Sequence, residues 1–128
     1  MKTAIYYFSI SLLITHEIDA VGSAEWQLLY ILRSLPETTA FSFFVLAHVP
    51  LFFVLLWFSH HSNNRIQMRF RFGVSVFLVI HALLHLRLSG NPGYAFSGVL
   101  SNSLIYGAGL VGAVHALLSF KKGELQNS

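Results

Sequence analysis

Four long apolar stretches alternate with short polar ones along the chain. They run over residues 3–21, 40–58, 72–88 and 97–120. At 1.5 Å per helical residue they are about 26–36 Å long, the range of segments that cross a hydrocarbon core of about 30 Å. The separators are of different kinds. Leu35-Pro36 stops one helical pattern, the polar and basic segment Ser59 to Arg71 is a loop running into the next helix, and Ser89-Gly90-Asn91-Pro92-Gly93 is a dense cluster of turn formers. Between the first two stretches, Trp26, Leu29, Tyr30 and Leu32 recur at helical spacing beside Gln27 and Arg33, which predicts a short amphipathic helix over 25–35 lying in the membrane interface. Thr38 and Thr39 are candidate caps for the stretch that follows. The expected fold is all-α: one integral membrane four-helix bundle over residues 1–122, with a short interfacial helix between the first two spans and a flexible tail over 123–128.

Composition supports a membrane class. Of 128 residues 55% are hydrophobic and 10% charged, and the mean hydropathy is +0.63, far too apolar for an ordinary soluble domain. With no cysteine, disulfides, thiolate metal ligands and cysteine nucleophiles are excluded. The net charge of +3 comes from basic residues scattered between apolar runs, which makes no stripe for nucleic acid. They read instead as topology signals. Lys2, Arg65, Arg69, Arg71, Lys121 and Lys122 fall on one side and Arg33 and Arg87 on the other, so both termini are expected in the cytoplasm, with the chain multi-pass in the cytoplasmic membrane. A competing reading makes the first stretch a cleaved signal peptide, with Lys2 as its positive start, Ala4 to Ile14 as its apolar centre and Gly22-Ser23-Ala24 as its cleavage site.

The candidate chemistry lies where charge interrupts the apolar pattern. His16, Glu17 and Asp19 end the first stretch, and His81 and His85, four residues apart, share one face of the third. Counting along the helices puts these groups and His48 at overlapping depths, whereas His115 falls roughly 25 Å away. His16, His81 and His85 are candidate nitrogen ligands, with Asp19 as a fourth ligand or as the group that orients one, and His48 as a possible addition. Imidazole and carboxylate without thiolate suit zinc or iron. Haem would need His48 and His81 as its axial pair. Glu17 is rotated by about 100° from His16 and is a candidate general base, as is Asp19. The alternative is a polar cluster that only sets helix register. His60 and His61 read as solvated loop residues, His115 as structural, and Glu25 beside Trp26 as an interface or capping group. Ala108, Gly112 and Ala116 form a small-residue stripe expected to dock a second copy or a partner membrane protein. Neither an HExxH motif nor a Ser-His-Asp motif is present.

The pattern His16-Glu17-Ile18-Asp19-Ala20, Glu25-Trp26, His48-Val49-Pro50-Leu51 and Val79 to His85 resembles a family of small bacterial four-span membrane proteins of unknown function, over about residues 10 to 118. The resemblance implies the four-span architecture and carries no activity. A looser likeness is to membrane enzymes with HxxxH motifs. Lipid hydroxylases with diiron sites use more histidines, on the opposite face. Seven-span zinc amidases use three His with Asp and Ser, a set that His16, His81, His85 and Asp19 imitate in a bundle about half the size. The expected function is therefore a metal-binding membrane protein. Two alternatives stand beside it: an accessory or scaffold subunit, and a metal-dependent hydrolase acting on a lipid.

Overall fold

A computed structural model describes residues 1–121, leaving the expected tail at 123–128 outside the described residues. The chain is all-helical there: α1 is Lys2–Gly22, α2 Glu37–Ser59, α3 Asn64–Leu88 and α4 Val99–Lys121. Three of these helices, α2, α3 and α4, are long and apolar enough to cross a membrane. α1 has the length, but His16, Glu17 and Asp19 in its last turns lower its hydropathy.

α4 packs along both α1 and α3, and α2 lies against α3 and the 23–36 connection. Two apolar clusters fill the bundle at its two ends. One gathers Tyr6, Ile10, Leu13, Leu55, Val74, Leu78 and Ala108, and the other Ala20, Trp26, Ala40, Phe44, Phe96 and Ile105. Phe43, Leu46, Val49, Phe53 and Trp57 point outward from α2. An outward apolar stripe of this length would be costly in water and suits lipid.

Small residues let α3 and α4 approach closely. A Cβ built on Gly109 would lie 2.7 Å from the Cβ of Ala82, and one on Gly112 3.0 Å from the carbonyl of Ser75. This changes the expectation for the small-residue stripe. Ala108 is 2% exposed within the core and Gly112 faces α3, so these two positions are used inside the chain and are not open to a partner.

The segment expected to form one amphipathic helix over 25–35 instead forms two single 3₁₀ turns, Glu25–Gln27 and Leu32–Ser34. Ala24, in the left-handed region at φ 53°, swings the chain back over the bundle, and Trp26 is buried while Tyr30 and Ile31 stay exposed. Leu35 is held extended by Pro36. The caps also differ. α2 starts at Glu37 behind Pro36 with no side-chain cap, so Thr38 and Thr39 lie inside its first turn. Asn63 caps α3 by accepting from the Arg65 and Ile66 amides, which puts Arg65, Arg69 and Arg71 on the first turns of that helix.

Candidate metal centre

α1 delivers His16 and α3 delivers His81 and His85 to one point between the helices. The spacing of four on α3 stacks the second pair, with ring centroids 4.6 Å apart, and His16 stands edge-on to both at 5.1 and 5.0 Å. One ring nitrogen from each of the three lies within 4.8 Å of the others. His16 and His85 are buried, at 1% and 2% exposure, and His81 is half-buried.

The carboxylate that reaches these imidazoles is Glu25, which the sequence pattern reads as an interface or capping group. Its Oε1 lies 3.7 Å from His85 Nε2 and its Oε2 3.9 Å from His16 Nε2. The turn at Ala24 and the buried indole of Trp26 bring it there. Burial pushes the Glu25 carboxyl up, but the nearby His85 imidazole, with those of His16 and His81, outweighs that and holds it below the ordinary carboxylate range. Asp19, expected as the fourth ligand, has its Oδ2 buried with no hydrogen-bond partner among the described residues, and no ion pair joins it to a histidine there.

Two further side chains come from the 89–98 connection. The Tyr94 hydroxyl lies 3.1 Å from His85 Nδ1, and burial, reinforced by Tyr106 and Glu25, pushes its pKa up to about 12, so it keeps its proton at neutral pH. For His85 to offer Nε2 to a metal, its Nδ1–H must donate to this hydroxyl. Phe96, fully buried, sets its ring 5.5 Å from His16 and 5.1 Å from His85 and closes the site from the connection side.

The polar accounting within this cluster does not balance. Both ring nitrogens of His16, His81 Nε2 and Glu25 Oε2 are buried with no hydrogen-bond partner among the described residues. Each such atom costs about 1–3 kcal/mol when left unsatisfied. A cluster that served only helix register would be expected to satisfy its own atoms. Three imidazoles and a carboxylate are a donor set for zinc or iron. Ligands 2.0–2.1 Å from a tetrahedral ion are about 3.4 Å apart, so the observed spread closes by ring rotations of about 1 Å.

His48 does not join this group. Its Nδ1 lies 2.7 Å from the Phe44 carbonyl, which can only accept, so Nδ1 carries a proton. Its Nε2 lies 2.9 Å from Glu17 Oε2, and that contact needs one more proton, held either by the ring or by the carboxyl. Glu17 and His48 are thus a proton-sharing pair that ties α1 to α2. Both ring nitrogens of His48, which haem ligation would call on, are engaged by the Phe44 carbonyl and Glu17. At the far end of the bundle, His115 Nδ1 meets Ser75 Oγ at 2.7 Å. His60, expected to be a solvated loop residue, is exposed in the turn after α2, and its ring nitrogens reach the Leu56 carbonyl and the Tyr7 hydroxyl.

Comparison with known proteins places the chain in one family. It belongs to the Family of unknown function (DUF6713), whose profile matches residues 2–122. That agrees with the resemblance drawn from its His, Glu-Trp and HxxxH patterns to a small family without an assigned activity. Neither curated proteins nor solved structures match it.

Proposed function

We propose that this family member is an integral membrane protein that holds one zinc or iron ion between His16, His81 and His85, with Glu25 as the fourth ligand. One observation carries the reading: buried ligand-type atoms on His16, His81 and Glu25 have no partner among the described residues, and a single cation would satisfy one ring nitrogen of His16, His81 Nε2 and Glu25 Oε2 together. Glu25 also lowers the net charge of the occupied site, which matters where low dielectric penalises an unpaired charge. Tyr94 positions His85 from behind. Such an ion would supply Lewis acidity at the end of the bundle where Phe96 and Trp26 limit the approach of water. No reaction is assigned.

The membrane reading rests on α2, α3 and α4, with α1 as a fourth span whose polar end is sheltered inside the bundle. The charge bias of Lys2, Arg65, Arg69, Arg71 and Lys121 supports an orientation with both termini in the cytoplasm and the histidine site toward the opposite face.

The test is metal analysis of the full chain purified in detergent without added metal, beside His81→Ala, His85→Ala and Glu25→Gln. Wild type is expected to carry about one zinc or iron per chain, and the histidine variants at least tenfold less. Equal metal content in wild type and all variants would leave only the register reading. Glu25→Gln keeps the test decisive if a histidine variant fails to fold.

A further inference from the structure

The three histidines of the centre turn the same ring nitrogen inward. His16 and His85 face Glu25 through Nε2, at 3.9 and 3.7 Å, and His81 Nε2 is buried with no hydrogen-bond partner among the described residues. A cation held there therefore takes Nε2 from each ring, and each Nδ1 then carries the proton. Such an imidazole is fixed in place when its Nδ1–H has an acceptor. His85 has one in the Tyr94 hydroxyl, 3.1 Å from its Nδ1. His16 has none: its Nδ1 is buried and without a partner among the described residues.

Asp19 has the complementary defect. It lies three residues after His16 on the same face of α1, a spacing at which Cβ atoms stand about 5–6 Å apart. Its Oδ2 is buried and likewise has no partner among the described residues. Both Glu25 and Asp19 are close enough for their charge to act on the His16 ring. The place of Asp19 on the helix adds a second cost. It sits in the last turn of α1, the negative end of the helix dipole, and that turn carries no basic residue. A carboxylate there needs positive charge from outside the turn. The Nδ1–H of an imidazole whose Nε2 is bound to a cation supplies it, and one hydrogen bond then removes both unpaired atoms.

We infer that Asp19 is a positioning residue of the centre: its Oδ2 accepts from His16 Nδ1–H and holds His16 Nε2 on the cation, as Tyr94 holds His85. The inference rests on the metal reading of the same histidines. It places Asp19 behind a ligand and leaves the fourth position to Glu25. The pair closes by rotation of the Asp19 side chain, which is open because neither atom is tied to another group among the described residues.

The experiment uses the full chain in neutral detergent, with zinc as the probe, or ferrous iron if the wild type prefers it. Metal affinity is read by competition with a chelating dye for wild type, Asp19→Asn and Asp19→Leu. Asp19→Leu should weaken binding about 10- to 100-fold, the usual cost of losing the partner behind a ligand imidazole. Asp19→Asn, which keeps an acceptor oxygen but no charge, should fall between the two. The metal-free proteins separate positioning from packing. Because Asp19 Oδ2 has no partner to lose, metal-free Asp19→Leu should unfold in denaturant at the wild-type midpoint or above it. Histidine nitrogen NMR of the zinc-loaded wild type should show His16 with Nε2 on the metal and Nδ1 protonated. Asp19→Leu should shift the His16 Nδ1–H signal and leave that of His85 in place. Affinity within about twofold of wild type in both variants overturns the inference while the metal reading stands. So does a fall in metal-free stability that parallels the lost affinity, or ligation of His16 through Nδ1. A wild type that binds neither zinc nor ferrous iron fails the metal reading itself and removes the inference with it. Should Asp19→Leu not fold, the nearly isosteric Asp19→Asn carries the same comparison.

Discussion

Gly109→Ala tests the close seam that positions the histidine-bearing helix. The added Cβ would sit 2.7 Å from the Cβ of Ala82 and 3.4 Å from the Leu78 carbonyl oxygen. Carbon atoms pack best at about 3.5–4.0 Å, so the first contact is short by about 1 Å. Ala82 has no rotamer with which to yield, so α3 and α4 must move apart. Overpacking of this kind costs about 1–3 kcal/mol, against a gain of about 1 kcal/mol from replacing a helical glycine. The expected net loss is up to about 2 kcal/mol. Two other glycines calibrate the reasoning. Gly112→Ala meets the Ser75 carbonyl at 3.0 Å and Leu78 Cβ at 3.1 Å, a smaller misfit that the propensity gain nearly offsets. Gly73→Ala on α3 meets nothing within 4 Å and should gain about 1 kcal/mol. Denaturant unfolding in detergent should therefore rank Gly73→Ala above wild type and Gly109→Ala at the bottom. Because Ala82 adjoins His81, Gly109→Ala should also lower metal content while Gly73→Ala leaves it unchanged. A Gly109→Ala protein as stable as Gly73→Ala would refute the described seam.

Tyr94→Phe removes the hydroxyl beside His85 Nδ1 and should weaken metal binding by about 10-fold or more without unfolding the bundle, as read by competition with a chelating dye. Glu25→Gln should weaken it at least as much, and an unchanged affinity would remove Glu25 from the ligand set. His48→Leu strands Glu17 in the bundle and should cost about 3–5 kcal/mol, whereas Glu17→Leu combined with His48→Leu should recover most of that in a double-mutant cycle. Metal should be released on acidification, because protons then compete for the ligand nitrogens; retention in strong acid would speak against imidazole ligation.

Local chain chemistry determined the helices and half of the site. Apolar runs of membrane length and the turn cluster at 89–93 marked the helices, because helix formation and hydrophobic length are properties of contiguous residues. The i, i+4 spacing of His81 and His85 likewise put both rings on one face before any packing was known, and helix arithmetic brought His16 to their depth. What a neighbour does was not legible in this way. Glu25, Tyr94 and Phe96 sit in irregular connections with no period to extrapolate, and only the folding of those connections over the helix ends aims them at the histidines. His48 shared the right depth but faced Glu17, since depth follows from counting residues while facing depends on how α2 is rotated against α1. The small-residue stripe of α4 showed that a close approach occurs. That the approach is made by α3 of the same chain was decided by tertiary packing, because Ala and Gly permit contact without specifying the partner.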